Sequence, residues 1–153
     1  MVASKCCILG ESGVGKTTLV KLLKQKEFSV ERNPTIGVGI EKVIINDHQI
    51  AVWDLGGQKR FQFMWDEFLR GNKLAIFVTD SSEKNVRQTQ ELISKFQDRE
   101  GAKMIAIANK QDLHDRMEPE EIQNRLGIPT YGMIAIDRKN EDAMKSILES
   151  RIR

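Results

Sequence analysis

The sequence predicts an α/β fold of three layers, in which helices cover both faces of a six-stranded, mostly parallel sheet. Two observations lead to this prediction. Near-continuous apolar runs alternate with segments of helical period, and strands of that kind, each followed by a helix, are typical of a parallel sheet with both faces buried. Two of the runs are separated by only two residues, which can turn a hairpin but cannot cross over between parallel strands. One edge strand is therefore expected to be antiparallel.

Six strands and about five helices are predicted, each from a local pattern. The strands are the apolar runs 5–10, 37–45, 48–54, 73–79, 102–108 and 131–136. The helices are the segments 16–26, 60–70, 84–99, 118–126 and 140–151. Asn46 and Asp47 form the hairpin turn, and Pro119 fits the first turn of the fourth helix. Because ligands of such sheets bind beyond the carboxyl ends of the strands, a site is expected in the loops that follow them.

Composition favours one globular domain that spans residues 1–153. The net charge is only +2, from 24 basic and 22 acidic residues without a charged block, which argues against a nucleic-acid partner. No apolar run is long enough to span a membrane, Val2 stands where myristoylation needs glycine, and the last residues contain no cysteine to prenylate. We expect a cytoplasmic monomer without an intrinsic membrane anchor.

A phosphate-binding loop follows the first strand. Residues 10–17 read G-E-S-G-V-G-K-T, and the strand before them and the helix after them are the context that this motif requires. Glycine lets the backbone turn its N–H groups inward to cradle phosphate oxygens. Lys16 supplies a point charge to the β- and γ-phosphates, and the Thr17 hydroxyl is placed to ligate magnesium. The alternative is a glycine-rich turn that arose by chance.

A second polar segment follows the strand 48–54, which ends in W-D-L-G-G-Q. An aspartate at the end of an apolar strand, here Asp54, is what a phosphate-loop enzyme uses to hold magnesium. The N–H of Gly57 can face the terminal phosphate. Gln58 can donate and accept hydrogen bonds, so it can orient an attacking water without being a strong base.

A third segment, N-K-Q-D at 109–112, follows the fifth strand. The carboxylate of Asp112 can accept from N1–H and the exocyclic amine of guanine, whereas adenine offers the wrong donors at that edge. Asn109 would tie this loop to its neighbours and to the base, and the stem of Lys110 would pack over the ring. The segment predicts selectivity for guanine, with a simple helix cap as the alternative.

A fourth segment, R-N-P-T-I-G at 32–37, lies between the first helix and the hairpin. Pro34 stiffens a loop that is otherwise free to move. Thr35 is the natural second hydroxyl ligand of magnesium when a γ-phosphate is present. The order of this loop is therefore expected to depend on the nucleotide.

In this order, the four segments resemble the small GTPases of the Ras superfamily, most of all the Arf-like branch and its relatives, the heterotrimeric G-protein alpha subunits. The matching sequence motifs are P-T-I-G at 34–37, V-W-D-L-G-G-Q at 52–58, F-V-T-D-S at 77–81 and A-N-K-Q-D-L at 108–113. The resemblance runs from Lys5 to about Gly127 and implies the fold of P-loop NTPases, GTP binding with Mg²⁺ and slow hydrolysis to GDP. It also implies two switch loops, about 28–38 and 55–70, whose shape follows the nucleotide.

The interpretation is a GTP-hydrolysing molecular switch in a single small GTPase (G) domain. Catalysis is assigned to Gln58, Lys16 and Arg32, and magnesium to Thr17, Thr35 and Asp54. The nucleotide-binding residues are Gly13, Val14, Gly15, Lys16, Thr17, Thr18, Thr35, Gly57, Asn109, Lys110, Asp112, Ala135 and Ile136. The alternative is a constitutively GTP-bound structural or scaffold subunit with little turnover, which would need neither Gln58 nor Arg32.

Two assignments depend on where the chain departs from the family pattern. The last family motif is here I-A-I-D at 134–137, and either Ala135 or Ile136 can present a backbone N–H to the guanine oxygen. Arg32 stands three residues before Thr35, as the intrinsic arginine finger of alpha subunits does, where Arf proteins usually lack an arginine. Arg32 therefore either supplies charge to the transition state or faces solvent or a partner.

A surface for partner proteins is also implied by the resemblance. In Arf-like proteins an aromatic patch across the hairpin and the second switch loop receives effectors, and exchange factors and activating proteins also bind the switch loops. The matching positions are Val38, Trp53 and Phe68. The alternative is that these side chains are packed in the core.

Overall fold

The computed structural model describes residues 4–24, 38–57, 62–96 and 103–152. Its strands are β1 (Ser4–Leu9), β2 (Val38–Ile45), β3 (His48–Leu55), β4 (Leu74–Thr79), β5 (Lys103–Ala108) and β6 (Thr130–Gly132). Its helices are α1 (Lys16–Lys24), α2 (Trp65–Phe68), α3 (Glu83–Phe96), α4 (Pro119–Leu126) and α5 (Glu141–Ile152), with a 3₁₀ turn at Arg138–Asn140. Among these helices, none has the length and apolar character needed to cross a membrane.

The six strands form one sheet in the order β2-β3-β1-β4-β5-β6. All neighbours are parallel except β2 and β3, which form an antiparallel hairpin at the edge of the sheet. Asn46 and Asp47 turn the hairpin with φ angles of +48° and +66°, a pair of left-handed residues that is typical of a type I′ turn. The predicted fold class is confirmed.

Both faces of the sheet are buried by helices. On one face α1 and α5 pack over a cluster that contains Ile8, Val52 and Ile107. On the other face, side chains from α2, α3 and α4 cover a cluster that contains Phe77 and the fully buried Trp65. Successive side chains of a strand point to opposite faces, which is why adjacent Cys6 and Cys7 belong to different clusters. Both cysteines are free thiols.

Within the described residues, two predicted elements differ from the structure by more than a residue at either end. The prediction of a strand over 131–136 is wrong beyond Gly132, because the chain bends after Met133 and the N–H of Asp137 donates to the carbonyl of Ile134 at 3.0 Å. This bend carries Ala135 over the loop that follows β5. Within the described part of the predicted helix 60–70, α2 has only four residues. The chain after it turns through Gly71 at φ +72° before β4 begins.

Candidate nucleotide-binding site

The loop between β1 and α1 has the backbone that the phosphate-loop motif predicts. Gly13 and Gly15 have φ angles of +86° and +105°, in the left-handed region that favours glycine. A Cβ at position 13 would meet open space, so only its backbone angle requires glycine. A Cβ at position 15 would overlap the side-chain amide of Asn109. Gly15 is thus required by both its angle and its contact with the loop after β5.

Lys16 lies at the start of α1 with its ammonium group against the loop. Nζ donates to the carbonyl oxygens of Gly10 at 3.0 Å and Glu11 at 2.9 Å. Burial lowers the pKa of Lys16, and the nearby charges of Asp54 and Glu11 act in the opposite direction. A Cβ at Gly57 would lie 2.6 Å from this Nζ, so glycine is needed there for close approach. A cationic donor is therefore held between the loop after β1 and the end of β3.

Thr17 and Asp54 bring a hydroxyl and a carboxylate together beside Lys16. The Thr17 Oγ1 hydroxyl donates to Asp54 Oδ2 at 2.6 Å, and the aspartate is buried at the end of β3. A cavity of about 170 Å³ borders the pair, and its other lining residues are Val20, Lys21, Lys24, Gly39 and Glu41. Hard oxygen donors with space for water ligands are what Mg²⁺ requires. The residues present therefore fit a magnesium ion.

Asn109 joins three loops from its position at the end of β5. Its side chain is buried, and Nδ2 donates to the carbonyl of Val14 at 2.9 Å. Its Oδ1 accepts from the N–H of Ala135 at 3.0 Å, and its own N–H donates to the carbonyl of Thr79 at 2.8 Å. The amide can donate and accept at once, which explains why asparagine suits this position.

Lys110 and Asp112 follow Asn109 in the same loop. Lys110 has a left-handed φ of +61°, and its Nζ donates to the carbonyl of Gly13 at 2.9 Å. The Asp112 side chain is exposed. Ile136, in the loop after β6, is 63% exposed, whereas Ala135 is buried. The loop after β6 thus presents an exposed apolar side chain directly after the residue whose N–H bonds to Asn109.

The segment after β3 is fixed by a buried tryptophan. Trp65 Nε1 donates to the carbonyl of Gly56 at 3.1 Å, and Gln62 Nε2 donates to the carbonyl of Gly57 at 3.1 Å. These contacts set the position of the backbone just before Gln58. The predicted residues Gln58, Thr35 and Arg32 themselves lie outside the described part of the chain.

Val38, Trp53 and Phe68 all pack against the same buried cluster, and the Trp53 and Phe68 rings contact each other. The rings of Trp53 and Phe68 are 6.1 Å apart, and Lys5 Nζ lies 3.7 Å from the centre of the Trp53 ring. All three of the predicted residues are half-buried. The cluster of these three residues is thus neither a fully exposed patch nor part of the fully buried core. Ile40, which pairs with Trp53 across the hairpin, extends it with a side chain that is 55% exposed.

Two residues of the site are absent from the prediction. Ser81, after β4, and Gln111, in the loop after β5, form hydrogen bonds beneath Asn109. Both residues lie in sequence motifs that are typical of the family. Those motifs are the signal from which the two residues could have been predicted. Their side-chain roles depend on how the two loops meet in space.

Comparison with known proteins assigns the family. The sequence model of the ADP-ribosylation factor family matches residues 2–149, a range that contains every loop described above. ADP-ribosylation factor K of Dictyostelium discoideum is 33% identical to the chain over 129 residues, which cover 82% of this chain and 68% of that protein. The chain therefore belongs to the ADP-ribosylation factor family and is an Arf-like small GTPase of the Ras superfamily.

Proposed function

We propose that the chain is a molecular switch that binds GTP with Mg²⁺, hydrolyses it slowly to GDP and changes its protein contacts with the nucleotide. Family membership supports the broader statement that it is a regulatory GTP-binding GTPase. The observation that supports the proposal most is the link between two loops. Asn109 and Lys110 each donate a side-chain hydrogen bond, both at 2.9 Å, to a carbonyl of the phosphate loop. A base and its phosphates would therefore be bound by one connected surface.

The phosphates are assigned to the loop between β1 and α1. Backbone N–H groups of Gly13, Val14 and Gly15, followed by Thr17 and Thr18 at the start of α1, would surround the phosphate oxygens. Lys16 already presents a buried ammonium group there, held by two backbone carbonyls. Little reorganisation is then needed when the charge on the phosphates develops.

Magnesium is assigned to Thr17 and Asp54, with Thr35 as the further ligand from outside the described residues. The 2.6 Å hydrogen bond between Thr17 and Asp54 supports this assignment, since it brings a hydroxyl oxygen and a carboxylate oxygen together at the start of α1. Bound Mg²⁺ would neutralise charge on the β- and γ-phosphate oxygens. Asp54 also orients the hydroxyl of Thr17 by accepting its hydrogen bond.

Hydrolysis is assigned to Gln58, which would orient the attacking water, and to the N–H of Gly57 at the terminal phosphate. The buried bond from Trp65 to Gly56 supports this role, because it fixes the backbone that leads into the catalytic glutamine. Arg32 is proposed to neutralise charge in the transition state. Positioning and electrostatics then supply the rate enhancement, without a covalent intermediate.

The base is assigned to Asn109, Lys110 and Asp112, with guanine selected by the carboxylate. The guanine oxygen would accept from an N–H in the loop after β6. Ala135 N–H lies beside the site in its 3.0 Å bond to Asn109, and the exposed Ile136 follows it. A purine ring would cover part of this exposed apolar surface.

Partner proteins are assigned to the switch loops and to the cluster of Val38, Trp53 and Phe68. Half-buried aromatic side chains beside the exposed Ile40 give an anchor of the kind that protein interfaces use. Effector, exchange-factor and activating proteins are the proposed partners. We propose that the whole chain acts as one G domain, as a cytoplasmic monomer.

Single-turnover hydrolysis by the purified protein tests the proposal. GTP loaded with Mg²⁺ should be converted to GDP with a rate constant of about 10⁻⁴ to 10⁻² s⁻¹, and Gln58→Leu should abolish this conversion. A chain that binds GTP tightly but leaves it intact over many hours would instead be a constitutively GTP-bound scaffold. Gln49→Leu, a glutamine-to-leucine change on β3 away from the phosphates, is the matched control and should keep the parent rate.

A further inference from the structure

Ser81 and Gln111 form a buried brace beneath the loop 109–117. Ser81 Oγ donates to the carbonyl of Asn109 at 2.6 Å and accepts from Gln111 Nε2 at 2.8 Å. Gln111 Nε2 also donates to the carbonyl of Met117 at 3.0 Å, and the N–H of Met117 donates to the carbonyl of Ser81 at 2.8 Å. The two ends of the loop are therefore both bound to Ser81, and Gln111 connects them from within.

The backbone of Ser81 indicates that its hydroxyl has a role. The residue is fully buried and has a φ of +68°, in the left-handed region that glycine adopts more easily. Glycine would suit that angle but would leave the Asn109 carbonyl and the Gln111 amide without this partner. A hydroxyl is the smallest group that can donate to the first and accept from the second.

We propose that Ser81 and Gln111 are positioning residues for recognition of the base. Asp112 lies within the loop that the brace closes, and its side chain is exposed, so the frame of the loop sets the direction of its carboxylate. This proposal rests on the assignment of Asp112 to guanine under the proposed function. Without the brace, the phosphate loop keeps its own contacts while the carboxylate loses its fixed direction toward the base.

The test compares the dissociation rates of GDP and IDP, the hypoxanthine analogue that lacks the exocyclic amine of guanine. The ratio of the two rates reports the contact between that amine and a carboxylate. The parent should release GDP about tenfold or more slowly than IDP, since a hydrogen bond to a charged group has about that effect. Ser81→Ala and Gln111→Ala should each lower the ratio at least about threefold, mainly by accelerating the release of GDP.

Further variants separate the brace from general stability. Ser81→Gly removes the hydroxyl but suits the φ angle, and it should lower the ratio as Ser81→Ala does. Ser94→Ala removes a hydroxyl that donates to the Gln90 carbonyl at 3.0 Å on the exposed side of α3, and it should keep the parent ratio. Ile122→Val lowers stability from the buried side of α4 and should also keep the ratio.

The outcomes distinguish this proposal from the function on which it rests. If the parent discriminates between GDP and IDP but both brace variants keep its ratio, the brace has no role in base recognition. An equal change in Ile122→Val would overturn it as well, because the effect would then follow stability alone. If the parent releases GDP and IDP equally fast, the assignment of Asp112 is wrong and the brace cannot act through it. Gln111→Ala, at a half-buried side chain, provides the measurement even if Ser81→Ala fails to fold.

Discussion

Replacing Gly15 with alanine tests how closely the phosphate loop and the loop after β5 are joined. The new methyl group would overlap the side-chain amide of Asn109, which is buried and cannot swing into solvent. To make room, Asn109 must give up its bonds to the carbonyl of Val14 and the N–H of Ala135. Gly71→Ala is the matched control, because Gly71 also has a positive φ, +72°, but no heavy atom stands within 4 Å of its Cβ position.

The two variants should differ severalfold in how much they lower the free energy of unfolding. A left-handed alanine costs about 1 kcal/mol, which is the whole effect expected at Gly71. At Gly15 the substitution also leaves the carbonyl of Val14 and the N–H of Ala135 without their hydrogen bonds to Asn109, at about 1–2 kcal/mol each. Together with the backbone angle, the expected loss of stability is about 3–5 kcal/mol. For a chain of this size, thermal unfolding followed by circular dichroism should show a Tm lowered by about 9–15 °C for Gly15→Ala and about 3 °C for Gly71→Ala.

A double-mutant cycle isolates the contact itself. In an Asn109→Ala background no side-chain amide overlaps the new methyl group. Gly15→Ala should then lower the free energy of unfolding only through its positive φ angle, by about 1 kcal/mol. The expected coupling between the two positions is therefore about 2–4 kcal/mol. The reasoning fails if Gly15→Ala is no more destabilising than Gly71→Ala, or if its cost is the same with and without the asparagine side chain.

Four further predictions follow from the site and the core. Asp112→Asn should move nucleotide preference from guanine toward xanthine, because an amide can donate to the new carbonyl; unchanged GDP affinity would remove Asp112 from the site. If Arg32 acts in the transition state, Arg32→Ala should slow single-turnover hydrolysis up to about 100-fold and leave GTP affinity nearly unchanged. An unchanged rate would mean that another protein supplies the arginine finger. Trp53→Ala should lower Tm by about 3–8 °C, since the indole is half-buried; no shift would mean that it packs against nothing. Burial raises the pKa of both Cys6 and Cys7, that of Cys7 to about 12, so the folded chain keeps these thiols protonated while the unfolded chain loses the protons above about pH 9. Stability should therefore fall as pH rises above about 9, and iodoacetamide at pH 8 should modify both thiols only after denaturation.

The phosphate loop, Asp54 and the loop after β5 could be predicted because their chemistry depends on short spacing. Eight consecutive residues, 10–17, define the phosphate loop, and the strand before it fixes which edge of the sheet it occupies. The hairpin was predictable for a similar reason, since two turn residues permit only an antiparallel connection. In both cases a few adjacent residues carry the prediction, so it does not depend on how distant segments pack.

Other features depend on contacts between distant segments. The end of β6 at Gly132 reflects the bond between Ala135 and Asn109, which no local pattern at 131–136 contains. The burial of Trp53 was left open because strand alternation places a side chain on a face without saying how far a helix covers that face. The hydrogen bonds of the brace join the loops after β4 and β5, so the family motifs that contain Ser81 and Gln111 mark the two residues without showing their contacts.

The link between Asn109 and the phosphate loop also has a consequence for synthesis on the ribosome. Asn109 is 95 residues from Val14 and 26 residues from Ala135, so the pocket combines segments that are far apart in the sequence. Chains emerge from the amino terminus first, and β1 with its loop is complete long before its partners exist. A nascent chain that stops short of Ala135 lacks an amide that holds Asn109 in place. If the site binds guanine nucleotide as proposed, the nucleotide can therefore act as a ligand for folding only after the ribosome has synthesised the chain through Ala135.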